Sequence, residues 1–157
     1  DVDAEIWLHT CWGNHAQQRL VNNPTYEKAI SHLLEVAADV VTFECAGCSG
    51  KDLQLFKDLE STKKFAIGVV NHTNTVVESP EEVANLIRKA LEYLPPERLI
   101  ISTDCGFGRE GISRRIAFHK CVAVVQGTNI VRRELGLPES TVRAADPQFA
   151  FSEFAAE

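Results

Sequence analysis

The chain of 157 residues contains no methionine, not even at position 1. It opens on Asp1-Val2-Asp3 and runs at once into an apolar strand, the pattern of a start inside a longer polypeptide. It lacks any apolar run approaching the roughly 20 residues that a bilayer span needs. No basic-then-apolar leader stands at the front, so no secretion signal is legible. Positive charge is also scarce: 16 Lys and Arg against 22 Asp and Glu leave a net charge of -6. Nucleic acids and anionic membranes select basic surfaces, so neither is an expected partner. The five cysteines (Cys11, Cys45, Cys48, Cys105 and Cys121) are odd in number and irregular in spacing. They do not form a disulfide framework, and reduced thiols in a cytoplasmic protein are expected. The Gly-rich phosphate turn of a dinucleotide fold is missing as well. After the first strand stands His9-Thr10-Cys11-Trp12-Gly13-Asn14 instead.

What is present alternates between apolar strands and amphipathic helices. The first strand reads Ala4 to His9. A helix is expected after it, with Tyr26, Ala29, Ile30, Leu33, Leu34 and Ala37 on one face at helical spacing. Asp39 to Glu44 is a β-branched second strand. Asp52 to Glu60 reads as a shorter helix with Leu53, Phe56 and Leu59 inward, and Phe65 to Val70 as the third strand. Ser79, Pro80 and Glu82 carry the signature of a capped helix start, and Pro95-Pro96 stops that helix. Arg98 to Thr103 is the fourth strand. A long helix then runs from about Ser113 to Leu135 and ends at Gly136. The order βαβαβαβα predicts a parallel sheet and an α/β fold. Four such units suit either an open doubly wound sheet or half of an eight-stranded barrel. Residues 1–157 read as one partial domain without an internal linker. Phe149, Phe151 and Phe154 in the tail are expected to dock or to fray.

In parallel α/β folds, chemistry gathers at the C-terminal ends of the strands. Here those ends carry His9-Thr10-Cys11, Glu44-Cys45, Asn71-His72 and Asp104-Cys105. His9 and Cys11 are two apart on extended backbone, so their side chains point the same way and can reach one ion. An imidazole nitrogen with a thiolate sulfur suits zinc. Cys105 can supply a third ligand and Glu44 a fourth. Taken singly, a Cys at a strand end is usually a small buried hydrophobe, and a His there a hydrogen-bonded core residue. Four ligand-type residues at strand ends on one face point to a metal.

The run His9-Thr10-Cys11-Trp12-Gly13-Asn14 resembles the His-x-Cys zinc motif of the cobalamin-independent methionine synthase superfamily, and its Cys-x-Gly-Asn flavour is similar to the epoxyalkane:coenzyme M transferase branch. Glu44 in Val41-Thr42-Phe43-Glu44 resembles the superfamily's glutamate ligand. Thr103-Asp104-Cys105-Gly106 looks like its Asp-Cys-Gly motif. Gly68-Val69-Val70 and Glu78 to Ala84 read like the segment between these motifs. The resemblance covers nearly the whole chain, in the right order. It implies the last four βα units, the C-terminal half, of a (βα)8 TIM-type barrel. It also implies Zn2+ held by His9, Cys11, Glu44 and Cys105.

The activity so implied is transfer of a methyl group from 5-methyltetrahydrofolate or a related donor to the homocysteine thiolate. The related alternative is epoxide opening by a thiol such as coenzyme M. An inactive zinc-binding half-barrel fragment is an alternative of another class. A metal-free relative resembling uroporphyrinogen decarboxylase fits poorly with the His-x-Cys and Asp-Cys-Gly motifs. The expected partners are a small-molecule thiol, an alkyl donor, and either the missing N-terminal half-barrel or further copies of the chain. Methionine synthases carry Asp-x-His after the third of these strands, tied to proton donation. This chain has Asn71-His72-Thr73 there, which leaves His72 as the proton-handling candidate. Asn14 and Asp104 flank ligands and are expected to orient them. Cys45 and Cys48 read as loop cysteines near the site, Cys121 as core, and His32 and His119 as surface.

Overall fold

The computed structural model describes residues 3–13, 21–57, 59–108 and 111–152. Its centre is a four-stranded parallel sheet formed by β1 (Trp7–His9), β2 (Val40–Phe43), β3 (Lys64–Gly68) and β4 (Leu99–Ser102). Spatial order equals sequence order, β1-β2-β3-β4. A doubly wound sheet reverses its strand order at a switch point, whereas a barrel arc does not. The observed order is that of half a barrel, as the resemblance implied.

All four residues of β2, and all of β3 except Lys64, are buried. That is why both read as unbroken apolar runs. Register sets Val41 beside Phe65 and Leu99, and Phe43 beside Ile67 and Ile101. These residues pack with Val83, Ile87, Ala90 and Leu94 in one core. Aromatic pairs tie it together: Phe43 meets Phe56 edge-on at 5.0 Å between ring centroids, and Phe56 meets Phe65 in a tilted pair at 5.0 Å. The alternate residues His9, Thr42, Ala66, Gly68 and Ser102 line the other face.

The helices follow the expectation where capping fixes them. Helix α2 (Pro80–Leu91) starts at Ser79, whose Oγ accepts the Glu82 N–H at 3.2 Å while Glu82 accepts the Ser79 N–H at 2.7 Å. Helix α3 (Arg114–Glu134) starts at Ser113, which accepts the Ile116 N–H. Three elements come out shorter than expected. Helix α1 covers only Ile30–Glu35, with no side-chain cap. Tyr26 instead sits in the turn before it. The segment read as a helix over 52–60 is a 3-10 turn, Lys51–Phe56, entered from a left-handed Gly50. Strand β1 is confined to Trp7–His9 because it lies at the sheet edge, where two of its three residues stay exposed.

Helix α3 buries Lys120, Ala123, Gly127 and Val131, a row at helical spacing, and at Gly127 it lies directly against Pro80 and Val83 of α2. Cys121 falls beside that row and is exposed, so it is not the core residue expected. Its neighbour Lys120 is fully buried. Lys120 Nζ pairs with Glu78 at 2.8 Å and also donates to the Val76 carbonyl, while Glu78 accepts the Asn71 N–H at 2.8 Å. That chain of bonds ties α3 to the loop leaving β3. Within the described residues, the tail as far as Phe151 docks on α3. Asn129 clasps the Ser140 backbone, Gln126 donates to Asp146 O, and Phe149 lies edge-on to Phe118. His119 is half-buried beneath it, with Nδ1 at 3.2 Å from the Phe149 carbonyl. His32 is exposed as expected. Phe154 lies outside the described residues.

A Cβ at Gly127 would meet Pro80 O at 2.5 Å and Val83 Cβ at 2.6 Å. Gly127→Ala is therefore expected to destabilise the fold by about 1–3 kcal/mol through overpacking, although Ala is the better helix former. Urea unfolding checks this. An unchanged or raised midpoint would show that the two helices are free to separate.

Candidate metal centre

The ladder between β1 and β2 ends at His9 opposite Thr42. Just beyond it the two chains carry Cys11 and Glu44. Among the described residues, His9, Cys11 and Cys105 bring one ligand atom each within 4.8 Å of one another. His9 Nε2 lies 3.2 Å from Cys105 Sγ, and its other nitrogen, Nδ1, lies 2.9 Å from Thr42 Oγ1. Thr42 Oγ1 also accepts the Thr10 N–H at 3.1 Å, and Thr10 Oγ1 donates back to the Thr42 carbonyl. The imidazole is thus held from behind, with Nε2 turned to the two sulfurs. That is how a metal-ligating histidine is normally oriented.

Glu44 is fully buried and belongs to an adjacent group with His72 and Asp104, again within 4.8 Å. One of its oxygens accepts the Trp12 N–H at 3.4 Å, which ties it to the His9–Trp12 segment. Asp104 sits next to Cys105 and accepts three backbone N–H groups: Cys45 at 2.8 Å, Ala46 at 2.9 Å and Gly47 at 2.7 Å. One carboxylate therefore joins the end of β4 to the loop that follows Glu44. The crossing is possible only because β3 ends in Gly68. A Cβ there would stand 2.0 Å from Asp104 Oδ1.

Electrostatics at the site favour a cation. Burial, then the hydrogen bond and charge of Cys11, raise the Cys105 thiol to about 12, and Glu44 and Asp104 push it the same way. Burial raises the Asp104 carboxyl to about 7, against the pull of its three N–H donors. Burial likewise pushes Cys45 and Cys48 upward. The charges acting most strongly on Cys105 are all negative. A dication would reverse that balance, and a donor set of imidazole, two sulfurs and a nearby carboxylate matches zinc. The residues present therefore fit the metal implied by the motifs.

The expected residues His9, Cys11 and Cys105 converge, with Glu44 and Asp104 beside them. Asn14 lies outside the described residues. His72 is fully buried against Glu44 and Asp104, so it does not face solvent in this chain. Cys48 donates from Sγ to the Cys45 carbonyl at 3.3 Å and stays in the loop after Glu44, as anticipated. Thr42 and Tyr26 escaped the sequence reading. Thr42 was open to it, being two residues before Glu44 on the same strand face. Tyr26 carried no signal, because its partners are 16 and 18 residues away.

The arc of parallel strands in sequential order, with the candidate ligands gathered at its strand ends, defines an α/β half-barrel. The family described as "Cobalamin-independent synthase, Catalytic domain" matches residues 1–126, and the chain belongs to that family. It is 38% identical over 134 residues to a methionine synthase of Saccharolobus solfataricus, covering 85% of this chain and 36% of that protein. A methionine synthase of Thermococcus kodakarensis is likewise 38% identical over 134 residues, with the same coverage. A solved B12-independent methionine synthase of Shewanella sp. W3-18-1, in complex with selenomethionine, superposes with a TM-score of 0.74 at 27% identity. That match covers 85% of this chain and 40% of the other. The chain thus spans little more than a third of the length of the relatives it matches.

Asp104→Asn would place an NH2 group against one of the three donor amides. It is expected to cost about 1–3 kcal/mol, the price of an unsatisfied buried donor. Urea unfolding of the metal-free chain checks this. Stability equal to wild type would mean that the three amides do not depend on the carboxylate.

Proposed function

We propose that the chain forms the zinc-holding part of a thiol alkyltransferase, with His9, Cys11, Glu44 and Cys105 as ligands. The observation that carries this is the meeting of one imidazole nitrogen and two cysteine sulfurs within 4.8 Å at the C-terminal edge of the sheet. Zinc bound there would supply the positive charge that keeps a substrate thiol deprotonated at neutral pH, where a free thiol of pKa about 8.5 is mostly protonated. The chain's own residues do the rest. Two cysteines and one carboxylate surround the metal with negative charge and so leave a bound sulfur nucleophilic. Asp104 and Thr42 hold the ligands in place. His72, buried beside Glu44, is suited to holding a proton close to that carboxylate.

The reaction that best fits the family is methyl transfer from 5-methyltetrahydrofolate or a related donor to homocysteine. Epoxide opening by a thiol is the second reading, favoured by the Cys-x-Gly-Asn flavour of Cys11-Trp12-Gly13-Asn14, while Asn71-His72-Thr73 departs from the Asp-x-His of methionine synthases. Residues 1–157 would make up the C-terminal half of the barrel. The substrate-binding surface then requires an N-terminal half-barrel or a further copy of the chain. An inactive zinc-binding fragment is the reading that remains if no such complement exists.

Elemental analysis of the chain purified without chelators is expected to give about one zinc per molecule. Cys11→Ser and Cys105→Ser should each lose it. A metal-free wild type, or variants that keep their zinc, would contradict the proposal.

A further inference from the structure

We infer that Tyr26 is a positioning residue for the metal centre, its phenol oxygen setting the separation between the His9–Cys11 segment and Glu44. This rests on the zinc reading above. Sheet pairing holds two strands together only as far as the ladder runs, and this ladder stops at His9 opposite Thr42. Cys11 and Glu44 both lie past that point. There the Glu44 N–H donates to Tyr26 Oη at 3.1 Å, and Tyr26 Oη donates to the Thr10 carbonyl at 3.4 Å. Thr10 stands between the two ligands His9 and Cys11. One phenol thus does beyond the strand ends what a ladder bond does within them.

The phenol can act as a gauge because Tyr26 itself is fixed. It is 3% exposed. Its ring lies 4.0 Å from Trp12 and meets Phe43 edge-on at 4.8 Å, centroid to centroid. Its backbone N–H donates to Asp52 at 2.7 Å, and the Thr25 hydroxyl donates to the other oxygen of the same carboxylate at 3.0 Å. Asp52 is itself buried. Trp12 and Phe43 directly flank Cys11 and Glu44 in sequence, so the ring also packs on the residues next to both ligands.

The test is zinc affinity by chelator competition, with thermal melts of the metal-free proteins beside it. Tyr26→Phe keeps the ring and removes only the hydroxyl. It is expected to fold and to bind zinc about tenfold more weakly, the scale seen when an outer-shell partner of a ligand is lost. Because Tyr26 acts through Glu44, the loss should largely vanish when Tyr26→Phe is added to Glu44→Gln. Wild-type affinity in Tyr26→Phe, or an undiminished tenfold loss in the Glu44→Gln background, overturns the inference and leaves the zinc reading standing. A wild type that binds no zinc overturns the zinc reading itself. Should Tyr26→Phe fail to fold, Asp52→Asn keeps the phenol but loosens its anchor. A few-fold weaker zinc affinity is then expected, and an unchanged affinity overturns the inference.

Discussion

Parallel pairing in sequential order is the constraint from which the site follows. When four strands run the same way, side by side, their C-terminal ends line one edge, each about 4.8 Å from the next. The arc also brings together the ends of its two outer strands: His9 at the end of β1 and Cys105 just past β4, separated by 96 positions, come within 3.2 Å. Pairing alone does not finish the work, because the candidate ligands lie at or beyond the last ladder bonds. Outside the ladder, side chains take over from backbone. Thr42 holds the imidazole, Asp104 binds the loop after Glu44, and Tyr26 joins Glu44 to Thr10.

This division of labour explains the residues that look out of place in a sheet. Gly68 contributes nothing to the core, yet the Asp104 carboxylate could not cross behind β3 if any other residue stood there. Asp104 itself is a buried acid that burial drives toward neutrality, a cost borne because it satisfies three amides at once. The same logic applies to the Lys120–Glu78 pair. A fully buried lysine is costly unless well partnered, and here it anchors the loop that carries His72.

The fold was legible wherever local chemistry decides it. Ser79-Pro80-x-Glu82 marks a helix start by itself, and α2 begins there. The apolar runs of β2 and β3, buried on both faces apart from Lys64, read as strands of a parallel sheet. Tertiary packing decides elsewhere. The apolar stripe from Tyr26 to Ala37 predicted a long first helix, but Tyr26 is drawn out of it by Asp52, Thr10 and Glu44, and only Ile30–Glu35 remains helical. Cys121 read as core because Ala117, Val124 and Val125 accompany it, whereas α3 turns the row of Lys120, Ala123 and Gly127 toward α2. The metal candidates were readable from their types and their places at strand ends. The residues that orient them were not, because each partnership spans a tertiary contact that no spacing rule encodes.

X-ray absorption at the zinc edge of the zinc-loaded chain tests the central claim most directly, since it reads the donor atoms themselves. Ligation by His9, Cys11, Glu44 and Cys105 predicts two sulfur neighbours at about 2.3 Å and two lighter ones at about 2.0–2.2 Å. Three or four sulfurs would mean that Cys45 or Cys48 has been recruited in place of His9 or Glu44. A shell of nitrogen and oxygen alone would mean that the metal does not sit where the strand ends converge. Either result would contradict the account.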